Sequence, residues 1–119
     1  MSLRLTIASV PDCPHAAVLA ERLDQALASL TGMPGLTGLT GIVVDQVVVQ
    51  TADEAARIGL RGSPTLLIDG TDPFAEPGVA ASLSCRLYRQ PTGGIEGAPS
   101  VTQLRAALSR AGAAGADIA

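Results

Sequence analysis

The spacing of the apolar residues changes at Pro14, and this change constrains the fold more than any other feature of the chain. Before Pro14, Leu3, Leu5 and Ile7 alternate with polar residues, which is the two-residue period of a β-strand. After it, leucines and alanines recur every three or four positions up to Leu30, which is the period of a helix. Proline suits the first turn of a helix, because its missing N–H group has no partner there in any case. The chain therefore begins with a strand that is followed by a helix.

The next segments repeat this alternation of strand and helix. Residues 42–50 are rich in β-branched side chains, and their nearly continuous apolar character predicts a strand that is covered on both faces. Thr51 and Glu54 have the spacing of a capping box, which predicts a short helix through Ile58. Gly59 then provides the stop signal of that helix.

The second half of the chain predicts two further strands and a last helix. Residues 65–70 (TLLIDG) and residues 82–89 (SLSCRLYR) have strand character. Ser100 and Gln103 form a second capping-box pattern at the start of a helix with an apolar stripe. The predicted order is βαβαββα, which is an α/β fold.

Length and composition narrow the functional classes. The chain has 119 residues, and we expect one domain over 1–112, with 113–119 as a flexible tail and the Gly-rich segment 31–41 as a loop. All eight basic residues are arginine, the net charge is -3 and 2% of the residues are aromatic, so we expect no nucleic-acid partner. No apolar run reaches the roughly 18 residues of a membrane span and no signal-peptide pattern is present, which predicts a cytoplasmic protein without a membrane partner.

The cysteine at the first strand-to-helix junction is the main chemical candidate. Cys13 can be a nucleophile, a metal or mercury ligand, or a small hydrophobic residue that caps the helix. The positive end of the helix dipole favours a thiolate at this position, and a protonated His15 would act in the same direction, whereas the neighbouring Asp12 opposes it. A solvated His15 without a catalytic role is the alternative for that residue.

The second cysteine has a different setting. Cys85 shares one strand face with Leu83 and Leu87, and this pattern favours a small core residue. The alternative is a resolving thiol or a second soft-metal ligand, if the fold brings it close to Cys13. With one histidine and two cysteines 72 positions apart, no zinc-site spacing is present, and we expect no cofactor.

Charged and aromatic residues near the fourth strand give weaker signals. The segment Asp72-Pro73-Phe74 reads as a loop anchored by a ring. Arg86, Tyr88 and Arg89 fit a solvated edge strand better than the alternative, a pocket for an anion.

Residues 59–70 (GLRGSPTLLIDG), taken with the element order and Cys13, resemble the thioredoxin-like superfamily. This resemblance implies a four-stranded mixed sheet flanked by helices, in which the fourth strand runs antiparallel to the third. It also implies a cis peptide bond between Ser63 and Pro64, in a loop that faces Cys13 and offers its backbone, together with Thr65, to a bound partner.

The chain departs from the usual Cys-x-x-Cys motif of that superfamily, because it reads Cys13-Pro14-His15-Ala16. Without a second thiol in the motif, no dithiol exchange can take place there. The resemblance therefore implies monothiol redox chemistry of Cys13, with His15 and Pro64 in the catalytic site, toward a small thiol or a cysteine of a partner protein. A non-catalytic module that binds protein through the same groove, or through an exposed strand edge, is the alternative.

Three segments carry a narrower resemblance: VPDCPHA, RGSPTLLIDGTDPFA and SLSCRLYR. They are similar to a group of small bacterial thioredoxin-like proteins that bear the name alkylmercury lyase. That similarity implies binding of Hg(II) or an organomercurial by Cys13 and Cys85, with Asp12 as the proton donor. No motif of characterised organomercurial lyases is matched.

Overall fold

Strands and helices alternate along the first half of the chain in the predicted order, and short strands dominate the second half. The computed structural model describes residues 2–30 and 41–118, so the loop predicted at 31–41 lies outside the described residues except for Gly41. In chain order the elements are β1 (Ser2–Ser9), α1 (Pro14–Leu30), β2 (Gly41–Val48), α2 (Ala52–Ile58), β3 (Arg61–Ser63), β4 (Thr65–Ile68), β5 (Ser82–Cys85), β6 (Tyr88–Arg89), β7 (Ile95–Glu96) and α3 (Val101–Ile118).

A mixed three-stranded sheet with β1 in its centre organises the molecule. The strand order is β2-β1-β4, with β2 parallel and β4 antiparallel to β1. Leu5 pairs with Val44 on one side, and Ile7 pairs with Leu66 on the other. A parallel neighbour requires a crossover, and α1 lies within the connection that joins β1 to β2. The described residues therefore form an α/β protein with three helices and a mixed sheet.

Both predicted capping patterns lie at helix starts: the Ser100–Gln103 box is complete, and at Thr51 the N-cap bond of the box is formed. The Thr51 hydroxyl accepts a hydrogen bond from the backbone N–H of Glu54 at 3.2 Å, and Gly59 ends α2 in the left-handed conformation with φ at 87°. At α3, the Ser100 hydroxyl accepts from the N–H of Gln103 at 3.1 Å, while the Gln103 side chain accepts from the N–H of Ser100 at 2.8 Å. These reciprocal bonds satisfy N–H groups that the helix itself leaves unpaired.

The apolar residues form two buried clusters. The larger one lies between the sheet and the helices α1 and α3, and the smaller one contains Ala8, Val49, Ala55 and Leu60 beside α2. The predicted strand face of β1 is confirmed, because its three alternating apolar residues all belong to the larger cluster. That cluster includes Leu3, Leu5, Ile7, Leu19, Leu23, Leu66, Leu104 and Leu108.

The prediction that residues 42–50 are covered on both faces is wrong. Among the described residues β2 lies at the edge of the sheet, and Val43 and Val48 are 47% and 53% exposed. Val49, just after the strand, is buried in the smaller cluster. The β-branched run indicates the strand correctly but does not determine its position in the sheet, because strand preference depends on context.

The expected fourth strand, residues 82–89, is divided into two. β5 pairs in parallel with β3, and β6 pairs antiparallel with β7. Neither joins the main sheet, so the expected four-stranded sheet with an antiparallel fourth strand is wrong for the described residues. A tight hairpin would give antiparallel strands, but the connection from Thr71 to Ala81 is long enough to return the chain to the beginning of β3, where the N–H of Ser82 donates to the carbonyl of Leu60 at 2.9 Å.

Helix α3 continues to Ile118, beyond the domain end expected at residue 112. The division into a domain at 1–112 and a tail at 113–119 stays a prediction, and Ala119 lies outside the described residues. Within the part of the chain that the structure describes, no helix has both the length and the apolar character required to cross a membrane.

Candidate functional site

Cys13 lies in the turn that joins β1 to α1, immediately before Pro14, the first residue of the helix. Asp12 has a left-handed backbone with φ at 59°, the N–H of Cys13 donates to the carbonyl of Val10, and the N–H of Ala16 donates to the carbonyl of Cys13, both at 3.3 Å. The thiol is free and half-buried. The predicted position at the helix start is therefore confirmed, and Cys13 does not belong to the buried core.

The Pro64 loop, residues 63–65, is tied directly to this turn. The N–H of Val10 donates to the Ser63 hydroxyl at 3.0 Å, and the Ser63–Pro64 peptide bond is cis. All three loop residues are buried. Ser63 thus connects the loop to the turn that carries Cys13.

The carbonyl groups of this loop already have partners within the chain. The carbonyl of Ser63 accepts from the N–H of Arg86 at 3.0 Å, and the carbonyl of Pro64 accepts from the Tyr88 hydroxyl at 2.6 Å. The Thr65 hydroxyl donates to the carbonyl of Gly62 at 2.6 Å. The resemblance implies that this loop offers its backbone to a partner chain, but the carbonyls of Ser63 and Pro64 are already hydrogen-bonded within the protein.

Tyr88 is buried against this loop, and its hydroxyl donates to the carbonyl of Pro64. Burial raises the pKa of Tyr88 well above its ordinary value. The positive charge of Arg86 acts in the opposite direction, while Asp72 and Cys13 raise this pKa further. The phenol is therefore neutral at physiological pH and acts as a hydrogen-bond donor.

A buried ion pair between Arg86 and Asp72 packs against Tyr88. One nitrogen of the Arg86 guanidinium lies 2.6 Å from a carboxylate oxygen of Asp72, and the side chains of Arg86 and Asp72 are 12% and 0% exposed. The same guanidinium donates to the Thr65 hydroxyl at 3.3 Å and to the carbonyl of Phe74 at 2.8 Å. It lies 4.7 Å from the centre of the Tyr88 ring, and the Phe74 ring meets Tyr88 edge-on at 5.8 Å.

This cluster of Asp72, Phe74, Arg86 and Tyr88 corrects the sequence interpretation. The solvated-edge-strand prediction is wrong for Arg86 and Tyr88, and it holds for Arg89, which is exposed. The ring of Phe74 does anchor its loop, as predicted, but the carboxylate of Asp72 was missed. One signal was available, because Asp72 stands two residues before Phe74 and its carboxylate accepts from the Phe74 N–H at 2.8 Å, which is an Asx-type turn.

The His15 ring packs against Gly97. The ring lies so close to Gly97 that a Cβ atom there would overlap the imidazole. Within residues 2–30 and 41–118, the structure shows no hydrogen bond or ion pair of His15 with Cys13. The catalytic role predicted for His15 stays a prediction, and its visible contact is a packing contact with the segment after β7.

Cys85 is exposed, so its predicted place in the core is wrong. It lies at the end of β5 in register with Ser63. Cys85 and Cys13 are both free. Among the described residues, no group of three or more histidine, cysteine or acidic side chains is arranged to hold a metal ion.

Comparison with known proteins finds no relative of this chain: no family model, no curated protein and no solved structure matches it.

Proposed function

We propose that this chain is a cytoplasmic thioredoxin-like monothiol protein, in which Cys13 exchanges disulfides with a small thiol. The observation that carries this proposal is the free, half-buried Cys13 immediately before α1, in a turn that Ser63 ties to the Pro64 loop. The parallel pairing of β1 with β2 and the antiparallel pairing of β1 with β4 support a thioredoxin-like arrangement. The parallel pairing of β5 with β3 is a departure from it.

The proposed reaction is an exchange between one thiolate and one disulfide. The Cys13 thiolate attacks a sulfur of a small disulfide, a bond forms between the two sulfurs, and the second half of the disulfide leaves as a thiolate. A second small thiolate then attacks the mixed disulfide and regenerates Cys13. No external oxidant is required, since each step only exchanges the partners of one disulfide bond.

A small thiol fits the site better than an extended partner chain. The carbonyls of Ser63 and Pro64 are paired with Arg86 and Tyr88, so a partner strand would have to displace bonds within the protein. A small thiol needs access only to the sulfur of Cys13.

The experiment compares the two cysteines of the chain as matched single-thiol proteins. In Cys85→Ser only Cys13 remains, and in Cys13→Ser only the exposed Cys85 remains. Each variant is mixed at neutral pH with a chromogenic small disulfide, both folded and in concentrated urea, and the release of the coloured thiolate is recorded. We expect folded Cys13 to react about tenfold faster than unfolded Cys13, because the proposal requires a thiol that is activated by its place in the fold.

Cys85 provides the internal control, because an exposed strand cysteine should react at similar rates when folded and unfolded. If folded Cys13 reacts no faster than unfolded Cys13, the redox proposal is wrong. A Cys13 that is unreactive in the folded protein would favour the non-catalytic binding module instead.

A second candidate function is mercury handling by Cys13 and Cys85. The observation that favours it is the register of Ser63 with Cys85, because Ser63 is also the residue that binds the turn of Cys13. Two thiolates are suitable ligands for Hg(II), which is a soft cation. Titration with Hg(II) in the presence of a competing small thiol tests this function: unchanged affinity in Cys85→Ser would show that the two cysteines do not act together.

A further inference from the structure

A cleft that Tyr88 helps to line is rich in arginine. It has a volume of about 320 Å³, and three of the eight arginines of the chain line it. Cleft volumes of this order hold small molecules rather than macromolecular partners. Its walls come from β3, the connection after β4, the segment 86–89 and α3. The lining includes Arg61, Phe74, Glu76, Arg86, Arg89 and Gln103.

Two of these arginines have guanidinium groups available to a ligand. Arg86 is engaged by Asp72, Thr65 and the carbonyl of Phe74. Toward the described residues, Arg61 donates only from its Nε, to the carbonyl of Val79 at 3.2 Å. The Arg89 side chain makes no hydrogen bond or ion pair with any described residue. Terminal nitrogens of Arg61 and the entire Arg89 guanidinium are therefore free to donate.

The charge balance of the cleft is opposite to that of the whole protein. The chain carries a net charge of -3. Within the cleft, Glu76 is the carboxylate of the lining and Asp72 is paired with Arg86 beneath it, which leaves one positive charge uncompensated. A local positive site in an acidic protein attracts anions and does not attract cations.

Apolar side chains complete the lining and indicate that the ligand also has an apolar part. Phe74 and Val79 line the cleft together with Leu87, whose side chain is 69% exposed. An exposed leucine beside arginine donors suits a ligand that has an apolar body and an acidic end. Arginine forks pair with planar carboxylates and with phosphates through two parallel hydrogen bonds.

We propose that this arginine cleft binds a small organic anion, with its oxyanion group on Arg61 and Arg89 and its apolar body against Phe74 and Leu87. The site is separate from the thiol chemistry of Cys13 and does not depend on it. Tyr88 contacts the Pro64 loop through its hydroxyl and also lines the cleft, whereas Cys13 is not part of the lining.

The test uses benzoate and phenyl phosphate as probes, with benzamide as the neutral analogue, in an NMR titration of the backbone amides. We expect both anions to shift the amides of residues 74–79 and 86–89 at millimolar concentration and benzamide to leave them in place. The tighter of the two anions identifies the acidic group that the site prefers. Equal binding of benzamide and benzoate, or no shift with either anion, overturns the proposal.

Variants of the charged residues in the lining should change the affinity for anions in opposite directions. Arg61→Gln and Arg89→Gln should each weaken anion binding about three- to tenfold, since each removes a charged hydrogen-bond donor. Glu76→Gln should strengthen binding, because it removes the competing carboxylate. Arg105→Gln, which changes an exposed arginine of α3 outside the cleft, is the matched control and should have no effect.

Two results would refute the site even if anions bind. One is unchanged affinity in the double variant Arg61→Gln/Arg89→Gln with an intact amide spectrum. The other is weaker binding in Glu76→Gln. The variant Cys13→Ser should bind benzoate as the unmodified protein does. The anion site and the thiol chemistry are therefore tested independently, and failure of one proposal does not refute the other.

Discussion

Replacing Asp72 with asparagine removes the negative half of the most deeply buried ion pair among the described residues, and it should destabilise the fold strongly. The Asp72 side chain is 0% exposed, and the Arg86 side chain is 12% exposed. The carboxylate accepts two bonds from Arg86, at 2.6 Å and 3.5 Å, and one from the N–H of Phe74 at 2.8 Å. Asparagine has nearly the same shape but leaves the Arg86 charge buried without a counter-charge.

The magnitude follows from burial. Removing one partner of a buried ion pair typically costs about 3–5 kcal/mol, because the remaining charge is neither paired nor hydrated. Asparagine still accepts one hydrogen bond, and Arg86 keeps the carbonyl of Phe74 and the Thr65 hydroxyl as partners. We therefore expect a loss near the lower end of that range, about 3 kcal/mol in the free energy of unfolding.

The assay is urea denaturation followed by circular dichroism, with the free energy of unfolding obtained by linear extrapolation. Glu96→Gln provides a matched control, because Arg22 and Glu96 also lie 2.6 Å apart but their side chains are 27% and 49% exposed. A solvent-exposed pair contributes about 0.2–1 kcal/mol. If Asp72→Asn costs no more than Glu96→Gln, the inference that burial makes this pair important is wrong.

Three further predictions concern the residues around the candidate site. Gly62→Ala should lower the free energy of unfolding, measured in urea, clearly more than Gly70→Ala. Both glycines have positive φ, but only at Gly62 would a Cβ lie 2.8 Å from the Cβ of Arg86. Equal losses would contradict the close packing of β3 against the end of β5 and Arg86. In the Cys85→Ser background, Ala16→Cys should allow a disulfide between residues 13 and 16 after mild oxidation, detected as loss of the two remaining free thiols, since the N–H of residue 16 already donates to the carbonyl of residue 13. Persistence of these two thiols would contradict a thioredoxin-like site. The single tyrosine, Tyr88, should stay un-ionised in the folded protein at about pH 10, where the unfolded chain is half ionised, as near-ultraviolet absorbance would show. Because the pKa of Tyr88 is raised in the folded protein, its contribution to stability is complete below about pH 10 and declines as the pH rises above that value. The variant Tyr88→Phe should lack this decline. Ionisation of the folded and the unfolded protein at the same pH would refute the burial of Tyr88.

Features that depend on neighbouring residues in the chain were predictable from the sequence. The start of α1 at Pro14 and both capping patterns follow from local hydrogen-bond requirements, which residue types three positions apart already reveal. The position of Cys13 before the helix follows from the same change of period. The buried face of β1 was predictable because alternation along one strand is also a local pattern.

Features that depend on distant partners were not predictable in this way. The pairing of β5 with β3 depends on the path of the connection from Thr71 to Ala81, and strand character alone does not set a direction or a neighbour. The same uncertainty gave Cys85 a buried position that the structure contradicts. Asp72 and Arg86 are fourteen positions apart, and only the three-dimensional structure shows that each charge is compensated by the other.

The segment after β5 determines what the Pro64 loop can bind, and this connects the stability prediction with the proposed chemistry. Arg86 supplies its N–H to the carbonyl of Ser63 and its guanidinium to the Thr65 hydroxyl, while Tyr88 supplies its hydroxyl to the carbonyl of Pro64. Every residue of the loop therefore has a partner from this one segment. A protein partner that pairs with the loop must break these bonds, whereas a small disulfide that reaches Cys13 breaks none. Loosening the segment through Asp72→Asn should accordingly favour exchange with a protein thiol more than exchange with a small disulfide, and an equal change in both rates would show that the segment does not restrict the site.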